Sequence, residues 1–421
     1  METKPKEICF DGPRRPWLVK LINGLDPFLS KTSLAPKKLN FESLIKEAQS
    51  KTKLSDFGDH TCFEGLKVLL QSLEEENELN TIGTIVAKQL ILNGLINRLK
   101  IIHHRKSNPL IENEKIVKPI FILGLPRTGT TLLHYLISLD KEIRFTPTWE
   151  SFHPCPPVKK STLDNDRRIS KTKRELMLFW KLIPNIRSVH DFDHLTPQEC
   201  IVFMGHTFNT FALPTQFYIP KYMNWLQHSD LDFLYTEHKR MLQLMQSGGH
   251  RNKHWILKAP AHIFCIDQIL KVYPDAHIIQ THRDPIRAIA SSCSLNYALA
   301  QLTSDHLELN KFGNLHLNVL SDWLVINTTQ RSNYKERSTQ FYDLNFNEFV
   351  RDPISNVRNI YDHFNLNWTQ EFENDMCNYI QNDSHLRFGK HIYSPEQFGI
   401  DPINASEKIE SYKDYFSDFL T

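Results

Sequence analysis

No apolar run in this chain reaches the roughly 18–20 residues that a membrane-spanning helix needs. The first fifteen residues, METKPKEICFDGPRR, also lack the uninterrupted apolar core of a secretory signal. The seven cysteines (Cys9, Cys62, Cys155, Cys200, Cys265, Cys293 and Cys377) are scattered, odd in number and without a CxxC pair. That pattern argues against a disulfide framework or a zinc site and favours a reducing compartment, so a cytoplasmic protein is expected. The sequons at Asn327 and Asn367 then arise by chance. Excess charge is missing too: 50 Lys and Arg against 48 Asp and Glu leave a net +2, which points to no nucleic-acid or acidic partner. No internal repeat or low-complexity segment is present.

What remains is a globular chain of 421 residues, 40% hydrophobic and 11% aromatic, long enough for one large domain with an extension or for two domains. Its most informative stretch is KPIFILGLPRTGTTLLHYLIS, residues 118–138. Ile120 to Leu123 read as a short, fully buried parallel strand. Gly124 to Gly129 form a loop with two glycines and a proline, and from Thr128 on Leu132, Leu133, Leu136 and Ile137 recur at helical spacing. Strand, glycine loop and helix start make a phosphate cradle, because the free N–H groups of the loop and the positive end of the helix point at one anion. The glycine spacing fits the GxxxxGK[ST] nucleotide loop, but Thr130 stands where that motif has its lysine. The cation lies inside the loop, as Arg127. This suits an anion other than Mg-ATP.

Residues 41–50, 61–79 and 81–104 read as helices, the last ending in His103, His104, Arg105 and Lys106, where positive charge suits the helix dipole. Residues 1–112 are therefore expected to form a helical extension packed on the core, and 113–421 the main domain. Residues 14–25 make a small basic amphipathic segment. Its apolar face (Trp17, Leu18, Leu21, Ile22, Leu25) would suit a peripheral membrane contact, though a first helix packed on its own core is the plainer reading. Residues 153–175, polar and rich in proline and lysine, read as an exposed loop. The HDFDH run at 190–194 offers metal ligands, but the Thr196–Glu199 spacing after it reads as a capping box with Pro197 at the first helical position, so a helix entry and no metal are expected. The aromatics dense between Phe203 and Tyr235 read as core, a minority of them lining a pocket for an apolar acceptor.

Two later strands end in polar groups. Lys258 and His262 follow HWIL; Arg283 ends AHIIQTH, and Ser291 lies about two helical turns beyond it. In doubly wound sheets, ligands bind outside the carboxyl ends of the strands. Cations at successive strand ends beside an anion loop point to a polyanionic ligand. Glu150, about one helix and one short turn after Arg127, returns to the same edge under right-handed crossovers. The expected fold is thus α/β: a P-loop-type doubly wound parallel sheet flanked by helices, with an N-terminal helical extension. Helices are expected over 314–331 and 353–364, with a last strand and short helix at 341–353.

On GLPRTGTTLLHYL, the TWE after it, WILKAPAHI, YPDAHIIQTHRDPIRAIASS, FVRDPISNVRNIYDHF and HIYSPEQFGID, the chain resembles the sulfotransferases that use 3′-phosphoadenosine 5′-phosphosulfate (PAPS), in particular the bacterial-type group related to the tyrosylprotein enzymes. The N-terminal RPWLVKLINGL and LSDFGD extend the likeness over nearly the whole chain. The resemblance implies that Pro126, Arg127, Thr128, Gly129, Thr130 and Thr131 hold the 5′-phosphosulfate, with Arg127 neutralising the leaving phosphate. It also implies that Arg283 and Ser291 grip the 3′-phosphate and that Lys258 stabilises the bridging oxygen. A sulfuryl acceptor must lose a proton, and the family implies Glu150 as the general base, with His262 the competitor. The expected acceptor is a hydroxyl of a small or lipid-like molecule, with no metal required. Phe346 replaces a tyrosine common in the family, leaving its hydroxyl contact absent or supplied by Tyr342, and Gln198-Glu199 replaces a common paired-acid element. A nucleotide kinase or NTPase on the same core is the alternative, and a non-catalytic nucleotide-binding protein a third reading.

Overall fold

The structure, a computed structural model, describes residues 7–9, 17–24, 39–182, 192–249, 253–382, 390–392 and 394–420. Five parallel strands form the central sheet: β1 (Ile120–Leu123), β2 (Ile143–Arg144), β3 (His254–Lys258), β4 (His277–His282) and β5 (Phe341–Asn345). Their spatial order is β2-β3-β1-β4-β5, so chain direction across the sheet reverses beside β1. That reversal opens a crevice outside the carboxyl ends of β1, β3 and β4.

The apolar run of β1 is explained by burial on both faces. Ile120 and Ile122 join a core with Leu133, Leu136, Ile256, Ile279 and Leu344. Phe121 and Leu123 point the other way, into a larger core that includes Leu44, Leu66, Leu95 and Leu257. The alternation follows the two-residue period of a strand. Helices Phe41–Thr52, Thr61–Glu75 and Thr81–Ser107 therefore share one apolar core with the sheet. Asn40 and Asn80 cap the first and third of them, each accepting a backbone N–H with its side-chain oxygen. Outside the sheet, Glu7–Cys9 pairs in parallel with Lys390–Ile392.

The helices expected late in the chain appear as Leu309–Asn333 and Pro353–His363, and the last strand and short helix as β5 and Phe346–Arg351. Two expectations need correction. Residues 153–175 are not a loop throughout, because Arg167–Leu182 forms a helix of 16 residues. Its basic polar face hides a narrow apolar stripe, in which only Thr172 and Leu176 are fully buried. The capping box at Thr196 is also absent. The Thr196 hydroxyl accepts from the Asp193 amide at 2.9 Å, and the short helix begins only at Cys200, with Glu199 at its cap position.

Candidate active site

The loop after β1 is shaped by two close approaches. Gly124 has φ +147°, and a Cβ there would stand 2.3 Å from the Thr281 hydroxyl on β4. Gly129, with φ +87°, precedes the helix Thr130–Ile137, and its open side is filled by the Phe346 ring. Glycine adopts both conformations without steric cost. The Thr128 hydroxyl donates to the Leu125 carbonyl at 2.7 Å and lies 2.6 Å from the Thr281 hydroxyl, tying the loop to β4.

Arg127 has φ +72°, a conformation that a non-glycine residue holds only when its surroundings enforce it. Arg283 supplies part of that enforcement, donating to the Arg127 carbonyl at 2.7 Å, and the Arg127 Nε donates to the Ser291 hydroxyl at 3.2 Å. The Arg283 guanidinium lies 4.4 Å from the Phe346 ring centroid, within cation–π range. Phe346 thus orients the arginine by its face. The Tyr342 ring packs on His363 and does not line the cavity described below. The structure thus brings Arg127, Thr128, Arg283 and Ser291 to one place.

Lys258 ends β3 beside Ile122 in register and is 2% exposed. Its ammonium donates to the Thr131 hydroxyl at 3.3 Å and is ion-paired with Glu199. An antiparallel bridge between Pro147 and Pro197, with the Gln198 amide donating to the Thr146 carbonyl at 2.9 Å, clamps the segment carrying Glu199 against the edge of the sheet. In sequence this glutamate fits half of a capping box, and its other signal is the carboxylate itself, two residues after Pro197 in the Gln198-Glu199 departure from the family pattern.

The two expected bases lie elsewhere. Glu150 is fully buried and pairs with the Arg144 guanidinium from β2. It does not line the cavity, although Ser151 and Phe152 after it do. The short second strand explains this: it ends at Arg144, so the following turn keeps Glu150 within reach of that arginine. His262 is also buried, its Nδ1 sharing a hydrogen bond of 2.6 Å with the Tyr235 hydroxyl. Burial, with His238 and Lys258 nearby, pushes its pKa well below the ordinary imidazole range.

One cavity of about 1120 Å³ joins these elements. Its polar end is lined by Pro126, Arg127, Gly129, Thr130, Thr131, Lys258, Arg283 and Glu199. From there it runs into an apolar chamber walled by Leu90, Phe203, Phe208, Phe211, Leu320 and Trp323. Of the aromatic stretch after residue 203, the first three phenylalanines thus face the chamber. Phe217 and Tyr222 belong to the core, where the Tyr222 hydroxyl donates to the Phe208 carbonyl at 2.6 Å.

His190 and Asp191 of the HDFDH run lie outside the described residues, and within it Asp193 pairs with the His194 ring. Among the described residues, one group has metal-ligand spacing: Cys200, His238 and His262, with ligand atoms within 4.8 Å of one another. They border a separate void of about 30 Å³, room for a single water-sized guest. Their outer ring nitrogens already pair with Tyr235 and Tyr273.

Residues 119–370 match the sulfotransferase family. The chain belongs to that family. The omega-hydroxy-beta-dihydromenaquinone-9 sulfotransferase Stf3 of Mycobacterium bovis is 26% identical over 308 residues, covering 70% of this chain and 74% of the relative. Among solved structures, the sulfotransferase STF1 of Mycobacterium tuberculosis H37Rv aligns with a TM-score of 0.79 at 26% identity, over 88% of this chain and 98% of that one. The sulfotransferase STF9 of Mycobacterium avium aligns with a TM-score of 0.80 at 25% identity, over 90% and 96%. The parallel sheet flanked by helices is accordingly the sulfotransferase version of the P-loop-type fold. The threonine at the loop-lysine position is at home in this sulfotransferase, and the kinase alternative falls away. Among the described residues, no helix is long and apolar enough to cross a membrane.

Proposed function

We propose that this sulfotransferase moves the sulfuryl group of PAPS to a hydroxyl of a lipid-like acceptor. One observation carries the reading: a single cavity has cations and a phosphate loop at one end and an apolar chamber at the other. The name of Stf3, a sulfotransferase of a hydroxylated menaquinone, agrees with that chamber. The family's donor agrees with the loop. The polar end suits a bisphosphorylated ligand, because each phosphate needs its own charged partner.

In this reading, the loop from Pro126 to Thr131 holds the 5′-phosphosulfate by its amides and hydroxyls, and Arg127 neutralises charge on the leaving phosphate. Arg283, with Ser291 beside it, takes the 3′-phosphate. Lys258 stabilises the bridging oxygen as the sulfur–oxygen bond to the phosphate breaks. Catalysis then rests on positioning and fixed positive charge, as in phosphoryl transfer. The acceptor hydroxyl loses its proton to Glu199, which lines the cavity beside Lys258. Glu150 keeps its ion pair with Arg144, and His262 its place in the core. Cys62, Cys155, Cys200, Cys265, Cys293 and Cys377 are all free, in keeping with a reducing compartment such as the cytoplasm.

The test is sulfuryl transfer from labelled PAPS, without divalent metal, to straight-chain and isoprenoid alcohols of increasing length. Transfer should improve with chain length. Transfer only to phenols or sugar hydroxyls would overturn the acceptor assignment, and a requirement for Mg²⁺ would overturn the chemistry.

A further inference from the structure

Beside the chamber, two helices present large apolar side chains to solvent. Leu178 both lines the cavity and is 59% exposed, which places it at the rim of the opening. It lies on the helix Arg167–Leu182, next to Met177, which is also exposed. The helix Trp17–Gly24 adjoins the end of that helix, since Val19 and Leu182 pack into one small cluster with Ile82 and Leu302. On the outside of the second helix, Trp17 is 75% exposed and Leu21, one turn on, is 52% exposed. Four large apolar side chains thus face solvent on two adjoining helices, and Leu178 among them also lines the cavity.

Charge gives this face a direction. The helix Arg167–Leu182 carries six basic residues against one acid, in a chain whose net charge is +2. Five of the six cations, Arg167, Lys171, Lys173, Arg174 and Lys181, are exposed, and Lys20 adds another on the neighbouring helix. An amphipathic helix with lysine and arginine on its polar face and tryptophan or leucine at its apolar edge is suited to the boundary between head groups and acyl chains. Each cation near an anionic leaflet adds attraction that salt screens.

We propose that this face docks on an anionic lipid bilayer, so that the acceptor passes from the membrane into the chamber without crossing water. The proposal rests on the lipid-like acceptor argued above and adds where that acceptor is collected. Trp17, Leu21 and Met177 enter the interface, the exposed cations meet lipid phosphates, and the opening beside Leu178 faces the acyl chains.

Sedimentation with vesicles of phosphatidylcholine alone, or with one third phosphatidylglycerol, tests the docking directly. The full-length protein should bind the anionic vesicles at least tenfold more tightly than the neutral ones, and 0.5 M salt should remove most of that difference. Trp17→Glu with Leu21→Glu, and separately Lys171→Glu with Lys173→Glu and Arg174→Glu, should each cut binding at least tenfold. None of these five residues lines the cavity, so turnover of a short water-soluble alcohol should stay at the wild-type level while turnover of a long-chain alcohol embedded in anionic vesicles falls with binding. Equal affinity for both vesicle types, or variants that retain vesicle binding, would overturn the docking. If wild-type protein binds anionic vesicles yet sulfates no alcohol in either form, the acceptor assignment fails and the docking surface stands.

Discussion

The two ends of the cavity are built in opposite ways. The donor end is made of backbone and charge held within tight tolerances: Arg127 is fixed in a left-handed conformation, Arg283 holds its carbonyl, and Thr128 ties the loop to β4. The acceptor end is a volume enclosed by side chains from several helices, among them Leu90, Phe203, Phe211 and Trp323. A dense, rigid charge array suits a ligand of fixed structure. An apolar chamber sets size and hydrophobicity and little else, since each methylene contributes only about 0.8 kcal/mol. The contrast predicts that donor-end substitutions act sharply on turnover, whereas chamber substitutions grade acceptor choice.

The largest effect is expected at Arg127. Arg127→Ala should lower kcat/KM by about 10³-fold or more, the range found when a charge that stabilises a transferring group is removed. A loss confined to KM would move Arg127 from the chemistry to ground-state binding. Next comes the junction of the two ends, where Glu199→Gln should lower kcat by about 10²–10⁴-fold at saturating donor. Glu150→Gln and His262→Ala should cost far less in kcat, their losses following stability. A Glu199→Gln enzyme that keeps the wild-type kcat would return the base to one of those two positions.

At the chamber the effect is smaller. Phe179 lines the cavity while only partly buried, and Phe179→Ala should raise KM for a long-chain acceptor by about 5- to 30-fold, equivalent to about 1–2 kcal/mol of lost burial. Donor affinity should not change. A fall in donor affinity would show that the two ends are not independent.

Acidification should act on stability more than on chemistry. Burial pushes His134 and His262 well below the ordinary range and brings His238 to about 3 and His316 to about 4. In the unfolded chain these rings titrate near about 6.5. Between pH ~6.5 and ~4 the unfolded state therefore binds more protons, so stability rises with pH and is lost as pH falls. Each ring contributes about 1.4 kcal/mol per unit across that window. Thermal unfolding followed from pH 7.5 to 5 should show a falling Tm, and a flat profile would mean that the rings are solvated.

The same contrast governs what was legible beforehand. Strand, loop and helix at 120–137 follow one another in the chain, and Lys258 and Arg283 stand at strand ends, so local pattern and the parallel-sheet rule suffice to bring them together. The chamber is assembled from helices far apart in sequence, and nothing local separates Phe203, which faces the cavity, from Phe217, which faces the core. Glu150 turns away from the cavity for a related reason. Its distance from Arg127 is a helix and a turn, as expected, but the orientation of one side chain depends on Arg144, which strand length alone does not reveal. At Glu199 the sequence is ambiguous, because a glutamate three residues after a threonine fits a capping box equally well. The helix Arg167–Leu182 was hidden by its own charges, since a stripe one or two residues wide barely registers as periodicity.

The loop and its cations are expected to hold a bisphosphorylated donor product rather than a triphosphate. Titration calorimetry with adenosine 3′,5′-bisphosphate, ATP and 5′-AMP addresses it most directly. The bisphosphate should bind at least tenfold more tightly than either alternative without metal, and Arg283→Ala should remove most of that advantage, about 10- to 150-fold for the loss of charge-assisted hydrogen bonds. Equal affinity for the three nucleotides, or an Arg283→Ala protein that binds the bisphosphate as well as wild type, would contradict the account.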